Sequence, residues 1–446
     1  MPQNIPKPPN WRKILEGKGL PKLLGMKELV DLTKIAQREY DYWDSVKHYP
    51  LPNGVSSEEV WTFIKFTRVT TSELTPVAVE NNGNFSFSIN RTMLQKLSFI
   101  DSNASGFLAS EGDKPSPSQI DQLVLSGITE EAIASSQLEG ANTSRKVAKE
   151  MILTKRKPRT HGEQMIINNF QVMQRLMEWK NLPLSIDILK EIQANITKDT
   201  LDDQNDYGKF RTNEDNIAVV DSLTGESVFT PPKSEFVSSE LKKFIEFANT
   251  SESKDDYIHP VIKAIILHFW LAYLHPFVDG NGRTARAIFY WYLLNRQYWL
   301  FQYLSVSRVI KKSKISYDRA YIYSEIDEND MTYFMTYNLK VISQAINDFI
   351  GYYKKKTLKE NKVKIVSSDL PEFNDRQVRL LMYTLKHPQN TISINQHQII
   401  NQVAYETARR DLLQLESKGY LTAVTKGRKY LYIPSISQIE RVIGEK

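Results

Sequence analysis

The chain contains no cysteine. That absence excludes disulfides, thiolate metal centres and cysteine nucleophiles, and it fits a reducing compartment. A long apolar run is also missing. The most apolar stretch, residues 261–278, carries Lys263, His268 and His275, so it reads as a buried helix rather than a membrane span. The first residues, MPQNIPKPPNWRK, lack the apolar core of a secretory signal. The expectation is a cytoplasmic protein with no membrane partner.

What is present is ordinary for a globular protein. Of 446 residues, 41% are hydrophobic and 25% charged, which argues against wholesale disorder. The length suggests about two to four domains. Charge is unevenly placed. Residues 354–446 hold 17 Lys and Arg against 9 Asp and Glu, or +8, whereas the rest of the chain is −2. This asymmetry points to a separate C-terminal domain with an anionic partner. A solvated lysine-rich linker would give the same count, and KKKTLKENKVK supplies much of it.

The expected fold class is mainly α. Residues 1–118 read as an N-terminal helical region without an interpretable motif. Residues 119–353 read as an all-helical core, residues 354–371 as a basic linker and 372–446 as a further domain. Within the core, SQIDQLVLSGITEEAIASSQLEG reads as two helices. Others are expected around Glu163–Trp179, Ser185–Thr197, Ser234–Ala248 and His259–Leu274, and from about Arg283 to Asn295. Residues 217–232 break the pattern, with two β-branched runs around Leu223, Thr224 and Gly225, a hairpin signature.

The chemistry concentrates in residues 275–286, HPFVDGNGRTAR. Pro276 cannot extend the preceding helix, so the chain must turn there. Gly280, Asn281 and Gly282 tolerate positive φ, and successive N–H groups in such a loop form an anion-binding nest. The loop opens into a new helix, which adds unpaired N–H donors and the positive end of its dipole. Arg283 and Arg286 lie three apart on that helix and can grip phosphate oxygens. Asp279 suits Mg²⁺, and His275 suits a general base. Together they point to phosphoryl or nucleotidyl transfer. A lone glycine-rich loop is usually a helix junction and a lone histidine is usually structural; His268 is expected only to pack and hydrogen-bond.

HPFVDGNGRTAR resembles the Fic family signature, HxFx(D/E)GNGRxxR, at every fixed position. The resemblance covers roughly residues 120–350 and implies a protein adenylyltransferase that moves AMP from ATP to a Tyr, Thr or Ser hydroxyl. It implies that His275 deprotonates the target, Phe277 anchors the loop, and Asp279 holds Mg²⁺ or Mn²⁺. Gly280, Asn281 and Gly282 would cradle the α- and β-phosphates, Asn281 by its side chain as well. Arg283 would take the β-phosphate and Arg286 the γ-phosphate. The hairpin, with Val219, Val220, Val228 and Phe229, is similar to the family's flap, which clamps a target by strand pairing. Gly208, Lys209, Phe210 and Arg211 resemble a short segment before the flap, with a structural role implied.

A second motif resembles the family's inhibitory pattern, (S/T)xxxE(G/N). It begins at Ser135 and ends at Glu139 and Gly140. Because it precedes the main motif, it implies an inhibitory helix acting in cis, with Glu139 occupying Arg286. An ordinary helix end stopped by Gly140 is the plainer reading. Removal of AMP from a modified protein would use the same residues.

The tail has a different rhythm. Helices are expected at Arg376–Leu385, Gln396–Asn401 and Tyr405–Lys418, stopped by Gly419, followed by a two-stranded hairpin over 421–433. Residues 407–421 resemble the recognition helix of winged helix-turn-helix regulators. That implies duplex DNA as a partner, contacted by Tyr405, Arg409 and Arg410 on the helix and by Lys426, Arg428 and Lys429 on the wing. A protein-contact role, and a DNA-binding regulator that merely senses nucleotide, stay open. The target protein and any homo-oligomer are not specified by the residues.

Overall fold

The computed structural model describes residues 5–18, 27–80, 83–105, 117–220, 227–250, 257–401, 403–426 and 429–444. The fold is mainly α with small antiparallel sheets, as expected. Two units are distinguished: residues 1–143 with 158–346, and residues 144–157 with 347–446.

In the first unit, helices His161–Trp179, Ile186–Thr197, Pro260–Leu274 and Asn281–Asn295 pack together. The incoming helix of the motif, Pro260–Leu274, begins with proline at its first turn, where a missing N–H costs nothing. It is apolar all round and buried almost throughout, the pattern of a central core helix. The outgoing helix, Asn281–Asn295, packs beside it.

Residues 117–138 form one helix, not two. Gly127 lies within this helix. It allows a close approach: a Cβ there would stand 2.5 Å from the Tyr303 carbonyl oxygen. The helix therefore tolerates the propensity cost of glycine because packing requires it.

The N-terminal residues belong to this unit and are fastened to it by buried charge. Lys65 Nζ lies 2.9 Å from Asp327 Oδ2 and 3.7 Å from Asp330 Oδ2. Arg68 donates to the Tyr333 hydroxyl at 2.8 Å, which donates to Asp327 at 2.8 Å. Tyr40 donates to Asp330 at 2.7 Å. Two cations thus face two carboxylates in a dry setting. The hairpin Glu73–Ala78 with Asn84–Phe87 joins the same segment through Ser86, whose N–H reaches Asn329 and whose carbonyl accepts from Met331.

The second unit contains the helices Arg145–Leu153, Asp375–Lys386, Ile394–Asn401 and Tyr405–Ser417, and residues 347–368 of the helix Thr332–Ser368. The lysine-rich stretch read as a linker is helical through Ser368. Its Val363, Val366 and Leu370 recur at helical spacing and are buried with Phe373, Leu412 and Tyr432. The two expected strands, Leu421–Lys426 and Lys429–Pro434, are joined by a third, Ile392–Ser393, with Lys429–Pro434 central. Asp411 ties the helices together, accepting from Arg376 at 2.7 and 2.9 Å and from Asn374 at 3.0 Å.

Replacing Lys65 by Met would remove the only cation in direct contact with Asp327 and Asp330 among the described residues, leaving Arg68, which reaches Asp327 through Tyr333. A loss of about 3–5 kcal/mol is expected. Urea denaturation of the whole chain would read it as an earlier first transition.

Candidate active site

The site begins where the incoming helix stops. His275 caps that helix with φ 47° and ψ 57°, an uncommon conformation for a residue with a side chain. Arg211 enforces it. Its Nε donates to the His275 carbonyl at 2.6 Å, and its Nη2 reaches Leu274 at 3.3 Å and Pro232 at 2.6 Å. The Arg211 N–H donates to the Pro276 carbonyl at 2.9 Å, and the Phe210 and Phe277 rings lie 5.1 Å apart. The segment expected to be structural is therefore what shapes the turn, over-determining a strained residue. Burial lowers the His275 pKa to about 4, against Glu139, which raises it. The imidazole is neutral at pH 7 and able to accept a proton. A hydrogen bond to the Ala272 backbone orients it.

Asn281 closes the loop. Its side chain accepts from the Phe277 N–H at 2.9 Å and donates to the Phe277 carbonyl at 2.7 Å. The side chain expected on a phosphate is thus engaged by the loop's own backbone. Phe277 is fully buried, so the clamp is anchored in the core. Gly280 has φ 81°, and a Cβ there would meet Thr197 at 2.8 Å. Only glycine satisfies both demands.

Asp279 is half exposed. Its Oδ1 accepts from the Gly280 N–H at 2.6 Å and its Oδ2 from Arg283 at 3.0 Å. Arg283 is buried; its Nη1 donates to the Ile196 carbonyl at 3.1 Å, while its Nε has no partner among the described residues. Among the described residues no group of three His, Asp or Glu could hold a metal ion. A lone, half-exposed carboxylate suits a cation that arrives with phosphate and water as its remaining ligands.

Arg286 turns to the helix Pro117–Leu138. It donates to Ser135 Oγ at 2.8 Å, to the Ser135 carbonyl at 3.0 Å and to Glu139 Oε1 at 2.9 Å. Glu139 also stands over the loop: a Cβ on Gly282 would lie 2.2 Å from its Oε1. Burial pushes the Glu139 carboxyl up, but Arg286, with Arg283 and His275, holds it below the usual range. A carboxylate therefore fills the space directly above the glycine of the nest.

His268 packs in the core and hydrogen-bonds. It lies among Phe289, Tyr317 and Phe334, with Nε2 3.2 Å from the Tyr317 hydroxyl, and burial lowers it to about 3. The hairpin pairs Val219 with Phe229 and Val220 with Ser227 in antiparallel fashion; Val228 lies in its second strand. Its turn, residues 221–226, lies outside the described residues. In the second unit, Tyr405, Arg409 and Arg410 are exposed on one helix. Lys426 and Lys429 end the paired strands, and Arg428 is outside the described residues. Sequence reasoning passed over Gln193, which donates to the Asp279 carbonyl at 3.1 Å, and the Ile196 carbonyl. Neither carries a signal in the sequence.

Residues 183–293 match the Fic/DOC family, so the chain carries a Fic domain. It is 42% identical over 60 residues to protein adenylyltransferase fic-1 of Caenorhabditis elegans, covering 14% of this chain and 11% of that protein. Against fic-1 of Caenorhabditis briggsae it is 29% identical over 113 residues, covering 25% and 20%. The matches therefore span a fifth or less of these relatives' length. A crystal structure of a Fic family protein from Desulfovibrio desulfuricans G20 superposes with a TM-score of 0.50 at 16% identity. It covers 78% of this chain and 97% of that one, and shows a shared fold.

His275 and His268 make stability depend on pH. Both titrate lower when folded, at about 4 and about 3, than the ordinary 6.5. Below pH 6.5 the unfolded chain binds more protons, so stability is full above that value and falls as pH drops. Each histidine contributes up to about 1.4 kcal/mol per pH unit. The melting temperature should therefore fall from pH 7 to 5, and less steeply in His268→Gln.

Proposed function

We propose that the first unit is an autoinhibited protein adenylyltransferase that transfers AMP from ATP to a Tyr, Thr or Ser hydroxyl of a target protein or of itself. The observation that carries this reading is the placement of Glu139, paired with Arg286 and standing over Gly282. In the transfer, the target oxygen attacks the α-phosphorus. The new O–P bond forms as the bond to the β-phosphate's bridging oxygen breaks, and pyrophosphate leaves. His275 accepts the hydroxyl proton. N–H groups of the outgoing helix's first turn, with no acceptor within the helix, face the α- and β-phosphates. Asn281 joins them through its backbone, because its side chain holds Phe277. Arg283 takes the β-phosphate. Asp279 would hold Mg²⁺ or Mn²⁺, which when bound neutralises phosphate charge.

Inhibition follows from competition. Arg286 is the cation for the γ-phosphate, and Glu139 occupies it. ATP then binds with its phosphate tail displaced, away from the in-line geometry that transfer needs. The target docks as an added strand on the hairpin Val219–Val220 and Ser227–Phe229, whose backbone pairing leaves sequence selection open.

Glu139→Gly should raise AMP incorporation strongly, and His275→Ala in that background should abolish it. Mass spectrometry after incubation with ATP and Mg²⁺ reads both. Incorporation equal in Glu139→Gly and the natural chain would refute inhibition. Loss of AMP from a modified protein only when Glu139 is present would assign the reverse reaction instead.

For the second unit we favour duplex DNA as partner. The exposed Tyr405, Arg409 and Arg410 share one helix beside a three-stranded sheet, in the element order of a winged helix. Binding should weaken steeply as salt rises, because phosphate contacts release counterions. No shift of a labelled duplex at low salt would remove this reading.

A further inference from the structure

The inhibitory residues sit on a longer stripe. Gly127, Glu131, Ser135 and Glu139 recur every fourth residue, so they share one face of the helix Pro117–Leu138 and its immediate continuation. On the outgoing helix Tyr290, Arg286 and Gly282 recur at the same interval in the opposite sense. The two stripes meet rung by rung. Glu131 meets Tyr290, Ser135 meets Arg286, and Glu139 meets Arg286 and Gly282. Eight residues span about 12 Å on either helix, so the rungs stay in step.

The Glu131 rung is the most heavily bonded. Its Oε2 accepts from the Tyr290 hydroxyl at 2.9 Å, from Ser305 Oγ at 3.1 Å and from the Ser307 N–H at 3.0 Å. Its Oε1 accepts from Ser307 Oγ. Tyr290 in turn accepts from the Val306 N–H at 2.9 Å. Glu131, Tyr290 and Ser307 are each about 1% exposed. A buried carboxylate surrounded by four donors has one favourable position, and sliding by a single residue would orphan it. The family-like pattern that begins at Ser135 does not include this residue. Above it, Gly127 sets the depth of the helix against Tyr303.

We propose that Glu131, through Tyr290 and Ser307, is a positioning residue that sets the register in which Glu139 reaches Arg286, so that loosening it releases inhibition without touching the nucleotide's contacts. This rests on the inhibitory reading of Glu139. Glu131 lies two turns from Glu139, and its bonds bind the inhibitory helix to the outgoing helix and to the start of the helix Val306–Lys312. Glutamine at position 131 keeps the shape but presents an N–H₂ where an oxygen now accepts. Phenylalanine at 290 removes the donor and also the acceptor for Val306.

The test measures incorporation of labelled AMP by the full chain with ATP and Mg²⁺. Glu131→Gln, Tyr290→Phe and Ser307→Ala are each made alone and combined with Glu139→Gly. Glu131→Gln and Tyr290→Phe alone should raise incorporation on the order of tenfold, the worth of one charge-assisted buried hydrogen bond. Ser307→Ala should raise it less. None should raise it further once Glu139 is glycine, because the contact they position is gone. Unchanged incorporation in the single variants, beside a rise in Glu139→Gly, overturns the proposal while leaving inhibition by Glu139 intact. An equal fall in both backgrounds identifies a purely structural role, and a rise in both places the effect elsewhere; either overturns it. No rise in Glu139→Gly itself defeats the underlying reading. Should Glu131→Gln not fold, Tyr290→Phe and Ser307→Ala, each lacking one hydroxyl, decide the question.

Discussion

One buried guanidinium organises this molecule. Arg286 lies inside the core, where an unpaired cation is costly, so something anionic must face it. Here that is Glu139, helped by the Ser135 hydroxyl and carbonyl. The helix Pro117–Leu138 meets the outgoing helix at this charge. On the proposed reading, a phosphate brought by a ligand would compete with this carboxylate for the cation, and the outcome would depend on which partner is held more firmly in place.

Firm placement comes from neighbouring structure rather than from the pair alone. The incoming helix is buried on nearly every side and gives the loop a fixed floor. Asn281 closes the loop from within, using both atoms of its amide on Phe277. Further away, the neutral cluster of Lys65, Arg68, Asp327 and Asp330 fastens the N-terminal hairpin and helices to the segment that leads into the helix Thr332–Ser368. Such clusters are poor sources of net stability but tolerate few alternative partners.

The catalytic loop was legible because its parts are contiguous. Twelve residues carry the turn, the nest, the cations, the acid and the imidazole, so spacing alone suggests the chemistry. The contact between Glu139 and Arg286 was suggested only by a second short motif. What stayed hidden depends on contacts between distant residues. Residues 117–138 looked like two helices, and the close approach of Gly127 to Tyr303, 176 positions along the chain, gives no local signal. Among the lysines from Lys354 on, Val363 and Val366 hold helical spacing over a core assembled from later residues, a contact that local composition does not reveal. The strand Ile392–Ser393 is two residues long, too short for alternation to register. The amide of Asn281 clamps Phe277, a contact that composition cannot show because it cannot say which way an amide faces.

Arg211 has a consequence of its own. With one side chain it grasps the carbonyl of His275 and that of Pro232, which follows the hairpin directly. The residue that would accept the proton and the platform that would seat the acceptor protein therefore share a hinge pin. One guanidinium thus couples the position of the histidine turn to that of the segment after the hairpin.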